Sequence, residues 1–116
     1  HKKLTARLRW ALDNPNARQV IADYSRFGQE IPADLVPPEL NDVEWMYWSA
    51  FWELNTERQV GMSPGPIPGS AIRDFAATEQ GTNAATFSQI IRSMDEVYLS
   101  HKSGESKTFS RDMMKR

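Results

Sequence analysis

The residues of this chain that are best suited to catalysis or metal binding are paired carboxylates. Glu53 and Glu57 lie four residues apart, and Asp95 and Glu96 are adjacent. Paired acids can bind a cation or carry out acid–base chemistry. On a helix they are more often solvated, and like charges four residues apart weaken the helix slightly. We therefore expect these carboxylates to be structural, with Arg58 placed to relieve Glu57 or to meet a carboxylate such as Asp95.

Histidine and cysteine are too scarce for the usual nucleophilic or metal-centred chemistry. The chain has no cysteine, and its two histidines are His1 and His101. The lack of cysteine excludes disulfides, thiolate zinc sites and cysteine nucleophiles together. No H-E-x-x-H or G-x-S-x-G pattern occurs. The sequence therefore indicates a protein that is not an enzyme and that binds no metal or cofactor.

Glycine and proline cluster in residues 61–69, where a phosphate-binding loop would have to lie. The segment lacks the G-x-x-x-x-G-K-[ST] spacing, and its prolines remove amide donors that a phosphate needs. We interpret it as a stiff hinge. Ile67 is the strongly apolar residue near its middle, so it is expected to anchor the loop to the core.

Five of the eight residues from 45 to 52 are aromatic. At helical spacing they form two stripes, whereas a surface helix needs one apolar stripe about 100° wide. This helix is therefore either the centre of its domain or a docking surface. We expect most of the rings to be core and part of the aromatic surface to face a partner, with Trp45 and Tyr47 the first candidates. The two stripes are Trp45, Trp48 and Trp52, and Tyr47, Phe51 and Leu54.

The elements that must position these rings are predicted to be helices. Leucine at every fourth residue from Leu4 predicts a first short helix. Asn14 and Pro15 stop it and are expected to start the second helix, which Gly28 closes in the left-handed conformation. Prolines in residues 29–40 predict an irregular connector. Four apolar residues are expected to hold the connector to the core: Ile31, Leu35, Val36 and Leu40.

The aromatic helix and a shorter helix come next. Asn41 and Glu44 are spaced as a capping box that starts the aromatic helix, which is expected to run to about Val60. The short helix is expected to start near Ser70 and to end at Gly81. Its inward residues are expected to be Ile72, Phe75 and Ala76.

A last helix is predicted to begin at Thr82 or Asn83. Its end is expected near His101 and Lys102, because basic residues suit the negative end of a helix dipole. Residues 103–116 are polar and indicate a disordered tail by composition. The predicted apolar face is Phe87, Ile90, Ile91, Met94, Val97 and Tyr98.

Together these signals predict an all-α fold, a compact bundle of about five helices around the central aromatic-rich helix. A length of 116 residues corresponds to one domain. We place this domain at residues 1–102 and a polar C-terminal tail at residues 103–116. No apolar run approaches the ~18 to 20 residues of a membrane-spanning helix, so no membrane association is expected.

The net charge of −1 conceals a separation of charge along the chain. Residues 1–9 carry four basic and no acidic side chains, and residues 102–116 carry five basic and two acidic ones. The remaining segment, residues 10–101, therefore has a net charge of −8. An acidic body is a poor nucleic-acid binder, and basic ends favour contact with an acidic neighbouring copy. The basic ends could contact nucleic acid or build a homo-oligomer, but exposed basic ends more often serve solubility alone.

A pattern of scattered aromatic residues and a Pro-Ile-Pro turn runs through residues 45–99. It consists of Trp48–Leu54, Arg58, Gly65–Pro68, Ile72, Ile90–Asp95 and Tyr98–Leu99. With this pattern the segment resembles small proteins from the tail-gene region of tailed bacteriophages, several of which are described as tail assembly chaperones. One departure is Gly69, which stands where the family often has an aromatic residue. The ring missing there could leave Trp45 or Tyr47 less covered.

The resemblance implies a protein that coats the long, helical and apolar tape measure protein until the tail tube forms around it. It would act in the host cell cytoplasm, or remain in the virion, and would hold an amphipathic partner helix against its aromatic helix. A structural connector or tail-completion subunit and a small DNA-binding regulator remain alternatives. The predicted partner-binding residues are Trp45, Tyr47, Trp48, Phe51, Trp52, Arg58 and Ile67.

Overall fold

Residues 1–58, 64–79 and 83–114 are described by the computed structural model of this protein, with side chains described as far as Gly104. This part of the chain contains five α-helices and no β-strand, which confirms the predicted all-α bundle. A 3₁₀ turn, Ala33–Leu35, lies in the connector. The helices are α1 (Lys2–Asp13), α2 (Ala17–Arg26), α3 (Asp42–Asn55), α4 (Gly69–Thr78) and α5 (Ala84–Met114).

The core lies between α1, α3, α4 and α5. Helix α5 packs against the other three, and α3 also packs against α4. The predicted inward residues of α4 and α5 are confirmed, because all of them are buried or packed against the core. The buried core residues are Leu4, Leu8, Tyr47, Ala50, Phe51, Leu54, Ile67, Ile72, Ala76, Phe87, Ile90, Ile91 and Met94.

Helix α3 begins as predicted and ends earlier than predicted. The Asn41 side chain accepts from the Glu44 amide at 2.8 Å, and the Glu44 carboxylate accepts from the Asn41 amide at 2.9 Å. The helix ends at Asn55 instead of near Val60. The next three amides donate to carbonyls three residues back, so the chain tightens and turns Arg58 into the core. Val60 and Gly61 lie outside the described residues.

Helix α2 begins later than predicted and contributes little to the core. It starts at Ala17 with Asn16 at the N-cap, whereas the Asn14 side chain donates to the Trp10 carbonyl and closes α1. Gly28 has φ +67°, which confirms the left-handed closing position. Ala17 is the buried residue of α2. The other apolar residues of this segment, Val20, Ile21 and Tyr24, are half-buried, and Phe27 is 72% exposed.

Helix α1 holds the connector through polar side chains. Arg7 donates to the Pro38 carbonyl at 2.8 Å, and the Trp10 indole donates to the Asp34 carbonyl at 3.0 Å. Leu40 packs against the core as predicted. The prediction for Val36 was wrong, since 54% of this residue is exposed. Hydrogen bonds from α1, and not an apolar contact of Val36, hold this part of the connector.

Helix α5 is longer than the sequence indicated. Asn83 is its cap, since its side chain accepts from the amides of Ala85 and Thr86. The helix continues to Met114, so His101 and Lys102 lie inside it and not at its end. The position of the predicted Gly81 stop lies outside the described residues. The division into a domain of residues 1–102 and a tail stays a prediction. Within the described part, no helix is long and apolar enough to cross a membrane.

Candidate functional site

The tryptophan stripe, Trp45, Trp48 and Trp52 of α3, forms a row of rings along one edge of the core. Trp45 and Trp48 have ring centroids 6.4 Å apart, and Trp48 and Trp52 have centroids 5.9 Å apart, both edge to face. The row continues onto α5, where the Tyr98 ring lies 6.4 Å from Trp52. Edge-to-face contact is a favoured aromatic geometry. The rings therefore support one another and hold a fixed surface.

The stripe is partly core and partly surface. Trp48 and Trp52 are half-buried and pack against the core, as predicted. Trp45 is 41% exposed. Tyr47 is only 7% exposed, so the exposure expected for it was wrong. It belongs to the other stripe of α3, and its ring lies 5.9 Å from the buried Phe87 ring.

Cations flank the row of rings at both ends. The Arg7 guanidinium of α1 lies 4.7 Å from the Trp45 ring centroid and 5.5 Å from that of Trp48. At the other end, the Lys102 ammonium lies 5.5 Å from the Tyr98 ring. Cations over aromatic faces are attracted by the ring quadrupole. The surface is therefore apolar along its length and positive at its ends.

A buried ion pair supports this surface from behind. Arg58 and Asp95 are joined at 2.5 Å, and their side chains are 2% and 3% exposed. Arg58 also donates to the Asn55 side chain at 2.8 Å and to the Gly65 carbonyl at 2.6 Å. Its guanidinium lies 4.3 Å from the Tyr98 ring centroid. Of the two partners considered for Arg58 from sequence, the structure selects Asp95.

The same pair anchors the proline-rich turn at residues 64–68. Asp95 accepts from the Ile67 amide at 3.1 Å, and the Ile67 carbonyl accepts from Arg92 at 2.8 Å. The Ile67 side chain is fully buried, which confirms its predicted role as an anchor. A Cβ at Gly69 would lie 3.3 Å from guanidinium nitrogens of Arg73 and Arg92. The turn therefore runs close against α5.

The predicted site residues thus fall into three groups. Trp45 is 41% exposed and Trp48 and Trp52 are half-buried, whereas Tyr47 and Phe51 belong to the core. Arg58 and Ile67 are buried, and in the folded chain they join α3, the turn and α5. A direct contact between either residue and a partner stays a prediction.

Arg7 was missing from the predicted set. It is 38 residues from Trp45 in the sequence, and nothing local in either segment indicates that they meet. Among the described residues, no three His, Cys, Asp or Glu side chains are arranged to hold a metal ion. The tryptophan stripe, with the buried ion pair beneath it, thus forms a contact surface that is held by the core.

A sequence model of the phage tail assembly chaperone family matches residues 24–100, well over half of the chain. This chain belongs to the phage tail assembly chaperone family. No curated protein and no solved structure matches it. Like its family, this phage tail assembly chaperone acts in tail assembly and interacts with phage tail proteins.

The family match covers the tryptophan stripe and the buried ion pair beneath it, but not α1. It includes α3, α4 and α5 as far as residue 100, together with Arg58 and Asp95. Helix α1 precedes it, yet α1 places Leu4 and Leu8 in the core and Arg7 over two tryptophan rings. In this tail assembly chaperone, therefore, part of the candidate surface comes from outside the matched region.

Proposed function

We propose that this chaperone binds an amphipathic helix of the tape measure protein along the tryptophan stripe. The observation that carries the proposal is the row of Trp45, Trp48 and Trp52 rings, half-exposed on a helix that is fixed in the core. Tryptophan is enriched among residues that dominate binding energy. A chaperone for a long apolar helix needs such a surface and no catalytic group.

The spacing of the stripe suits a helical ligand. The three tryptophans cover two turns of α3, about 10 Å along its axis. An amphipathic helix presents its own apolar residues at matching intervals, so the two helices can pack with their stripes facing. Arg7 at one end of the row suits an acidic residue of the partner.

We further propose that the protein performs no reaction of its own and works in the host cell cytoplasm. Family membership favours this reading over a small DNA-binding regulator. A structural connector or tail-completion subunit is the remaining alternative. It would be retained in finished particles, whereas a chaperone would be absent from them.

Trp45→Ala is expected to weaken binding of a helical tape measure fragment by at least about ten-fold, the loss typical of a residue that matters to an interface. The melting temperature should change little, because Trp45 is 41% exposed. Isothermal titration calorimetry and thermal unfolding measure the two effects on the same samples.

Phe27→Ala is the matched control. Phe27 is also an exposed aromatic residue, but it lies at the end of α2 and outside the stripe. It should leave affinity unchanged. Equal affinities for wild type and Trp45→Ala would contradict the proposal, as would an equal loss in Phe27→Ala.

A further inference from the structure

A second surface of α3 is not used by the proposed function. It is a groove of about 510 Å³ between α3 and α4. Its apolar lining is Leu54, Pro68, Ala71 and Phe75, of which Leu54 is buried and the other three are half-buried. On the helical wheel it lies on a different side of α3 from Trp48 and Trp52. It can therefore be occupied independently of the tryptophan stripe.

The rim of this groove is acidic. Glu53 and Glu57 lie one turn apart on α3, and Asp74 lies opposite them on α4. All three are exposed, and none forms an ion pair within the described part of the chain. Three carboxylates around an apolar lining repel one another and attract a ligand that carries both cationic and apolar groups. A basic amphipathic helix has this chemistry.

The chain itself contains a segment with this composition. Residues 105–116 carry four basic and two acidic side chains, a net charge of +2. Lys107, Arg111 and Lys115 follow one another at intervals of four residues, and so do Phe109 and Met113. Intervals of four residues bring positions onto one face of a helix, and α5 continues as a helix to Met114. The segment thus matches the groove in charge and in helical pattern.

The segment cannot easily reach the groove of its own chain. Phe75 in the groove stacks on Phe87 near the start of α5, with ring centroids 5.6 Å apart. Lys107 is twenty residues further along the same helix, a distance of about 30 Å at 1.5 Å per residue. An unbroken α5 carries its C-terminal end away from the groove.

We propose that the basic C-terminal segment, residues 105–116, of one copy binds in the acidic groove between α3 and α4 of a second copy. The two surfaces differ, so the contact is heterologous and can add further subunits in a ring or row. Several copies joined in this way would present their tryptophan stripes in series. Such a series suits a long helical partner better than a single stripe does.

Charge reversal on each side of the contact tests this proposal. Sedimentation velocity of the full chain should show concentration-dependent association above the 13.3 kDa monomer. The groove variant Glu57→Lys with Asp74→Lys should raise the dissociation constant at least about ten-fold, as loss of complementary charge at an interface predicts. The segment variant Lys107→Glu with Arg111→Glu should do the same. Combining all four changes restores the complementarity and should restore association.

The control is Glu30→Lys with Glu39→Lys, which makes the same change in net charge at two exposed positions outside the groove. It should associate as the wild type does. Circular dichroism checks that every variant remains folded. A wild type that stays monomeric at all concentrations overturns the proposal. So does normal association of either reversed pair, or failure of the fourfold variant to recover.

Discussion

Asp95→Leu is expected to destabilise the fold by about 3 to 5 kcal/mol, because it leaves the Arg58 guanidinium as a buried charge without its partner. Both side chains are nearly inaccessible, at 2% and 3% exposure. The substitution also removes the acceptor of the Ile67 amide. The proline-rich turn would then lose one attachment to α5 together with the ion pair, and would keep the hydrogen bond from Arg92 to the Ile67 carbonyl. Urea unfolding measures the loss directly.

A control variant and a double variant show how much of this loss of stability comes from the unpaired Arg58 charge. Glu96→Leu removes the adjacent, exposed carboxylate of the same helix and should change stability by less than about 0.5 kcal/mol. Arg58→Met combined with Asp95→Leu should recover part of the loss, since no buried charge then remains. Some cost should persist because the Ile67 amide still lacks its acceptor. Wild-type stability in Asp95→Leu alone would contradict the buried network.

Phe51→Ala is expected to cost about 3 to 5 kcal/mol, the usual range for truncating a buried phenylalanine. Phe51 is fully buried, and its ring lies 5.3 Å from that of Trp52 and 6.2 Å from that of Tyr98. The cavity would therefore open directly behind the tryptophan stripe. A domain stability of about 5 to 15 kcal/mol makes this a large fraction of the total.

Phe51→Leu is the conservative comparison and should cost less than Phe51→Ala, because it keeps more of the buried volume. Thermal and urea unfolding of both variants check the expectation. If Phe51→Ala reduces partner binding, the reduction should be proportional to the loss of folded protein. A Phe51→Ala variant that unfolds like the wild type would place this ring outside the core.

The parts of the fold that depend on local spacing could be predicted from the sequence. Two stripes on one helix indicated that α3 is more than a surface helix, and the stripe of Tyr47, Phe51 and Leu54 is buried. The Asn41 cap could be predicted from the spacing of Asn41 and Glu44. The Ile67 anchor could be predicted because Ile67 is strongly apolar and lies near the middle of a segment rich in glycine and proline. These features could be predicted because each is caused by residues that lie within a few positions of it in the sequence.

The parts that depend on distant contacts could not be predicted in the same way. The sequence pattern of α3 continues beyond Asn55, but Arg58 turns inward to reach an acid 37 residues away, and the helix ends. Arg7 over Trp45 is a contact between separate helices. The groove between α3 and α4 exists only once the two helices pack. In each case tertiary structure overrides or adds to the local signal.

The central claim is that the tryptophan stripe receives the tape measure helix, and the indole N–H signals of the chain test it most directly. Each tryptophan gives one indole signal in a ¹⁵N-correlated NMR spectrum, and Trp10 is an internal reference because its indole donates to the Asp34 carbonyl. Titration with a helical tape measure fragment should shift or broaden the signals of Trp45, Trp48 and Trp52 while that of Trp10 stays in place. Formation of the complex with the three stripe signals unchanged would contradict the claim.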